Sequence, residues 1–510
     1  TAMSVELATA ARPKVYQPVT GLAGRERAQL PGTGRGAAAG VGQDWGATEE
    51  MNSVEAVMWR AEAGGVVRSP LLALEQLDSV PDWDRFLAVH ERGVRMVPRL
   101  RQRVVEAPLG LGTPRWSVDP EFDLRFHVRR ARLPDGGGWP ALLEAAAQLA
   151  MSPFDRARPP WEAVLYEGLP DGRAAYVLKM HHSATDGLGA VQLLSLLHSP
   201  QREPDPAQSR QEVVPAGQTS GLGVLAHQVR SDVAALPSAV LGAGSVAFGA
   251  LSNPVHTLRS ASRYGSSLMR VLTPPDVAAS PLLAGRGRRW RFAAVDVPLP
   301  ELRAAAKTAG GTVNDAYLAA LLGGYRRYHA ALGVPVETIP MAMPISVRRP
   351  GDPGGGNRIT GARFGAPVGV ADPKARIARI RALTLAIRGE PALGSIGLMS
   401  TGLARLPGQV STQIVAAMTK ANDLQASFLP GPRDSRYLAG ARLERVYPYA
   451  PLPGCPAMIT LVTHRDVACV GVNFDPVAFT EPELFTDCLL EGFAEVLALH
   501  CPSARPIART

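Results

Sequence analysis

The sequence predicts an α/β chain of two domains, on three observations. At 510 residues it is too long for one core and fits two domains of ordinary size. In the first half, Tyr176-Val177-Leu178 reads as a buried strand and Leu188 to Leu197 as an apolar helix, so strand and helix follow one another within one unit. After a polar, proline-bearing stretch, a second series starts near Arg286, with a strand over Ala293 to Val297 and a helix over Pro300 to Ala309.

Apolar residues make up 46% of the chain and charged residues 19%, which describes a globular protein. The formal net charge is +9, carried mostly by arginine. Such a balance attracts nucleic acid, an anionic membrane face or phosphorylated molecules. No basic run is interleaved with aromatics, which makes nucleic acid the weakest of the three. The four cysteines, Cys455, Cys469, Cys488 and Cys501, show no CxxC pairing. They read as reduced and structural, with neither a metal site nor a disulfide scaffold expected.

In chain order, residues 1–50 read as a poorly ordered leader without a secretory apolar region. Residues 51–200 form the expected N-terminal domain. Asn52-Ser53 precedes apolar positions at helical spacing through Trp59. Residues 82–100 read as an arginine-rich helix, Arg115-Trp116 as a strand, and Phe122 to Val128 as a half-buried strand with Asp123 and His127 at the surface. Pro140 to Leu149 is an alanine-rich helix. The turn Asp155-Arg156-Ala157-Arg158-Pro159-Pro160 then sets Trp161 against the core, ahead of a strand over Ala163 to Tyr166.

Next comes the loop His181-His182-Ser183-Ala184-Thr185-Asp186-Gly187, between a buried strand and a buried helix. Rigid scaffolds tend to hold reactive groups on such loops. A histidine titrates near neutral pH and can take a proton from a hydroxyl and later return it. Asp186-Gly187 suits a sharp turn. No GxSxG elbow is present, so a covalent serine mechanism has no support.

Residues 201–285 read as a linker and crossover helices. Val233 to Leu258 carries no formal charge, but Pro237, glycines and alanines make it too weakly apolar for a span, and a surface helix pair touching a bilayer is the expectation. Residues 286–510 form the expected C-terminal domain. Within it, Thr312 or Asn314 can cap a helix with Asp315 at its positive end. Gly354-Gly355-Gly356 lacks the context of a phosphate loop.

His181-His182 to Asp186-Gly187 matches the HHxxxDG motif of chloramphenicol-acetyltransferase-like acyltransferases, which include peptide-synthetase condensation domains. Thr312-Val313-Asn314-Asp315, Pro344-Ile345-Ser346-Val347-Arg348, Gly356-Asn357 and the Pro153 to Trp161 element resemble one branch, the bacterial wax ester synthase/diacylglycerol acyltransferase family. The resemblance runs from about Asn52 to His500. It departs from the family pattern at Glu55, Phe154, Pro160, Phe428 and Thr463-His464-Arg465.

This resemblance implies two chloramphenicol-acetyltransferase-like αβ sandwiches, an α+β sandwich pair forming a V with a central channel. It implies His182 as general base, His181 as its placer, and Asp186 shaping the loop and pairing with Arg348. Gly187 would permit close packing or an unusual backbone angle, while Asn314 and Asp315 would support the site from the second domain. The implied activity is acyl-CoA-dependent O-acyl transfer to diacylglycerol or a fatty alcohol, without metal or bound cofactor and without nucleic acid. The implied location is cytoplasmic, peripheral to the inner membrane face or lipid droplets. Two rivals are a carrier-protein-dependent condensation-type transferase and a catalytically weak lipid-binding relative.

Overall fold

A computed structural model describes residues 45–63, 65, 67–110, 112–203, 213–231, 277–348, 354–389 and 422–509. The expected leader up to residue 44 and the uncharged run at 233–258 lie outside the described residues.

Two large sheets organise the chain. In the first, the strands lie in the order Tyr437–Leu438, Ala441–Tyr449, Pro70–Leu77, Ala174–His181, Trp161–Glu167 and Val128–Arg132. In the second, the order is Ile507–Arg509, Arg291–Pro298, Val467–Phe474, Ala457–His464, Leu424–Leu429, Thr338–Ser346 and Ile359–Pro367. Helices Val313–Ala331 and Pro482–Leu497 cover the second sheet, packed so closely that a Cβ on Gly492 would collide with the Ala320 carbonyl. The architecture is the mixed α/β one expected.

Sheet membership does not follow chain order. The hairpin ending in Ala441–Tyr449 lies within the range 286–510, yet it pairs antiparallel with Pro70–Leu77 in the first sheet. Pro70–Leu77 in turn pairs with Ala174–His181, placing Pro70 opposite His181. A shared core follows: Leu72, Leu74, Val164 and Tyr447 of the first sheet bury against Phe292 and Ala294 of the second. The Phe292 and Tyr449 rings stack at 4.0 Å, and Tyr447 donates to Asp296 at 2.6 Å. The two lobes are therefore joined by a strand exchange and an apolar seam, which fixes their separation far better than a linker would.

Local signals predict most helix starts. Asn52 caps helix Ser53–Glu62 in a capping box with Glu55, Asp82 caps Trp83–Met96, and Thr312 caps Val313–Ala331 in a box with Asp315. One strand differs from expectation. The Asp123 carboxylate accepts from the Arg125 amide at 2.9 Å, which turns Leu124–His127 into a short helix, and the strand starts only at Val128. His127, expected at the surface, is buried; it stacks on Trp161 at 4.7 Å and its Nδ1 lies 2.7 Å from the Trp161 carbonyl. All four cysteines are free. No described helix is long and apolar enough to cross a membrane.

Candidate active site

The strand Ala174–His181 is buried along its whole length and delivers the histidine pair to the lobe junction. The His182 amide donates to the Ser69 carbonyl at 2.7 Å, and the Ala184 amide closes a turn onto the His181 carbonyl at 2.9 Å. Asp186 then caps helix Gly187–Leu197, its Oδ1 accepting from the Gly189 amide at 2.8 Å. Gly187 keeps an ordinary backbone angle. Its requirement is space, since a Cβ there would lie 2.8 Å from Leu429 Cδ1.

The second lobe grips this loop. Arg348 donates to Asp186 Oδ2 from Nε at 3.1 Å and from Nη2 at 2.9 Å, so the expected pairing is made. The same Nη2 reaches the carbonyls of Gly355 and Gly356, each at 2.8 Å, and the Arg358 amide adds a further donor to Asp186 at 3.0 Å. Asp186 is 1% exposed, so its charge is stabilised by these fixed donors instead of by water. Gly356 exchanges backbone hydrogen bonds with Ala184 and Asp186 at 3.2 and 3.1 Å. The histidine loop is thus held in place by residues from the other lobe.

His181 is buried and faces away from this grip. The Ser183 amide donates to its Nδ1 at 3.0 Å, which puts the ring proton on Nε2, 2.6 Å from Glu62 Oε2. Burial pushes the Glu62 carboxyl up, but the His181 hydrogen bond and charge prevail and hold it below its ordinary value. Trp59 meets the ring edge-on at 5.1 Å, and Phe154 at 5.8 Å. His181 is therefore locked by one carboxylate, one backbone amide and two aromatic rings, and serves as an anchor.

His182 is partly exposed. Asn357 Nδ2 lies 2.8 Å from its Nδ1 and 3.1 Å from its carbonyl oxygen. Burial pushes the imidazole pKa below 6.5; its own carbonyl and the Asp186 charge oppose this, His181 adds to it, and the Thr185 carbonyl opposes it weakly. The ring is neutral at physiological pH and free to accept a proton. A base must be unprotonated to act, so activity should hold at neutral pH and fall as pH drops through a value below 6.5. A pH profile of kcat/KM checks this; an acid limb above 7 would assign the titration to another group.

Glu55 and Glu62 stand seven residues apart on one face of helix Ser53–Glu62 and support the site from below. Glu55 accepts from the Asn357 amide at 2.8 Å, while Glu62 holds His181. The sequence reading missed Glu62 and the contact of Asn357. The i, i+7 spacing of two acidic residues on a half-buried helix was the available signal.

Asn314 and Asp315 are placed elsewhere. Asp315 completes the helix cap with Thr312 at 2.9 Å, accepts from Thr384 at 3.2 Å and pairs with Arg381 at 3.5 Å. Among the described residues neither Asn314 nor Asp315 hydrogen-bonds to His181, His182 or Asp186. The expected support from that motif is a helix cap, and the support from the second lobe comes from Arg348 and Asn357. Phe428 packs half-buried on the second-lobe core, and His464 is buried with its Nε2 3.2 Å from the Leu443 carbonyl. A cavity of 320 Å³ lined by Phe126, Arg129, Phe154, Trp161 and Glu162 approaches the pair from the His181 side, with the Phe154 ring between. Among the described residues no cluster of three His, Cys, Asp or Glu is set to hold a metal ion.

Residues 48–317 match the family model described as the wax ester synthase/diacylglycerol acyltransferase catalytic domain, and residues 355–496 match the corresponding C-terminal domain. A Mycobacterium tuberculosis H37Rv protein named as a candidate diacylglycerol O-acyltransferase is 41% identical over 460 residues, 89% of this chain and 92% of its own. The fold is similar to the wax ester synthase/diacylglycerol acyltransferase of Marinobacter aquaeolei VT8, with TM-score 0.58 and 20% identity over 88% of this chain and 98% of that one. It is also similar to the first condensation domain of the CDA synthetase, with TM-score 0.54 and 13% identity over 90% and 99%.

Proposed function

This chain belongs to the wax ester synthase/diacylglycerol acyltransferase family, and on that premise we propose that it transfers an acyl group from acyl-CoA to the hydroxyl of diacylglycerol or a long-chain alcohol, with His182 as general base. The observation that carries the reading is a neutral, partly exposed imidazole held at the junction of two lobes by residues from both.

The reaction needs one base and two aligned reactants. His182 takes the hydroxyl proton as the acceptor oxygen attacks the thioester carbonyl. The new C–O bond forms, the C–S bond breaks, and the imidazolium returns the proton to the departing CoA sulfur. No residue is acylated, and the neighbouring Ser183 hydroxyl is engaged by His181 Nδ1 at 2.7 Å. Holding both substrates in line at the junction is worth about 7–11 kcal/mol of the barrier, and the base a further ~10²–10⁴-fold in rate. The two substrates reach His182 from opposite faces of a channel between the lobes. No metal or bound cofactor takes part, and the arginine-rich surface attracts the CoA phosphates. The reading includes a cytoplasmic location, peripheral at the inner membrane face or on lipid droplets, where a greasy acceptor would be met.

The test is mass spectrometry of lipid products after incubation with several acyl-CoAs and both acceptor types, beside acyl groups on a carrier protein. Triacylglycerol or wax ester made from acyl-CoA supports the reading. Turnover with the carrier thioester alone would assign a condensation-type transferase, and tight lipid binding without turnover would assign a binding protein.

A further inference from the structure

Side-chain alternation gives the second sheet two faces. Met341, Phe364 and Leu424 bury in the core under its helices. The residues between them look the other way, toward the first lobe. There Phe292 and Ala294 form the apolar seam, and Leu429 and Val462 pack with first-lobe residues. The seam stops short of the outer strands. On the same face lie Ser427 and Gln425 of strand Leu424–Leu429, then Ala342, then Arg363 of strand Ile359–Pro367, with Gln425, Ala342 and Arg363 in register across three strands. All four are half-buried. Among the described residues the side chains of Ser427, Gln425 and Arg363 make no hydrogen bond or ion pair. Gly361, one pleat nearer the histidine loop than Arg363, is exposed, and a Cβ there would meet nothing within 4 Å, so the face is open above it.

This polar row starts at the histidine loop. Leu429 heads it, since a Cβ on Gly187 would lie 2.8 Å from Leu429 Cδ1. From strand rise and spacing, the backbone at Gln425 lies about 13 Å farther along, and that of Arg363 about 10 Å to its side. Arg363 carries the charge of the row. Burial pushes its guanidinium below the ordinary arginine value, and no carboxylate opposes that. The other buried arginines of this lobe are paired: Arg348 with Asp186, Arg376 with Glu495 and Arg445 with Asp296.

We propose that Arg363 binds a phosphate of the acyl-CoA donor, and that Ser427 and Gln425 line the path of its pantetheine arm. This inference rests on the acyl-CoA reading above and assigns a face of the junction to the donor. A pantetheine arm is a narrow chain with two amides and a terminal phosphate. Ser427 and Gln425 can each donate to and accept from an amide, and a guanidinium fork matches a phosphate. With the phosphate on Arg363, the thioester end points back to Leu429 and the loop that carries His182. Diacylglycerol and fatty alcohols have no anionic group, so the same arginine tells donor from acceptor.

The test is steady-state kinetics with two donors bearing one acyl chain: acyl-CoA, and acyl-pantetheine, which has no phosphate. For the wild-type protein, KM for acyl-pantetheine should exceed that for acyl-CoA by roughly 10- to 10²-fold, the scale of hydrogen bonds to a charged group. Arg363→Ala should raise KM for acyl-CoA by a similar factor with kcat little changed, because a contact far from the reacting atoms is made equally in ground and transition states. On acyl-pantetheine that extra penalty should vanish, since no phosphate remains to be met. Arg363→Lys keeps the charge without the fork and should fall between. An arginine that merely held the strand would weaken both donors alike. The wild-type comparison decides even if a variant fails to fold. Equal KM for the two donors in the wild type, or an Arg363→Ala penalty that persists on acyl-pantetheine, overturns the proposal. If the wild type turns over acyl-CoA and either result appears, only the role of Arg363 falls; if it turns over neither donor, the acyl-CoA reading falls first.

Discussion

His182→Ala loses acyl transfer by about 10²–10⁴-fold while the protein stays folded. The loss is large because the side chain is the proton acceptor and nothing beside it can replace it: His181 is buried and tied to Glu62 and Ser183, and Asp186 is saturated by Arg348, Arg358 and Gly189. The fold survives because what holds position 182 is its backbone, with its amide on Ser69. Removing a partly exposed ring leaves no large cavity, and Asn357 still donates to the residue 182 carbonyl. A labelled palmitoyl-CoA assay, with a thermal melt as control, measures both halves. Activity within tenfold of wild type would remove His182 as the base.

Arg348→Ala destabilises the protein by about 3–5 kcal/mol and abolishes most turnover. The reason is the carboxylate left behind. Asp186 is 1% exposed and loses two charge-assisted donors at 3.1 and 2.9 Å. The Gly355 carbonyl loses its Arg348 donor as well, while the Gly356 carbonyl keeps the Asp186 amide at 3.1 Å. Two amides remain on Asp186, which places the effect toward the lower end of the range. Arg348→Lys keeps the charge but not the fork, so it should fall between wild type and alanine. Urea denaturation of the three proteins, alongside kcat, measures this. A change below about 1 kcal/mol for Arg348→Ala would mean that the pair is not a structural link.

Which parts of this protein could be read along the chain follows from how far apart the interacting residues lie. The strand over Tyr176-Val177-Leu178, the helix at Leu188 to Leu197 and the caps at Asn52 and Thr312 are local patterns, and the structure has each of them. The His127 error was local too: an Asx turn at Asp123 overrode the alternation that reads as a strand. The motif at 312–315 was readable as a cap, and its capping role is what the structure keeps.

By itself the sequence determined the histidine loop, its flanking strand and helix, the family and the two-lobe α/β plan, because each is written in short stretches whose period or spacing is set by backbone geometry. Only the tertiary structure decided who completes the site. Asn357 reaches His182 across 175 residues, Arg348 reaches Asp186 across 162, and the hairpin ending at Tyr449 joins the first sheet. Contacts of that span arise from how two sheets pack and exchange a strand, and side-chain periodicity carries no record of them.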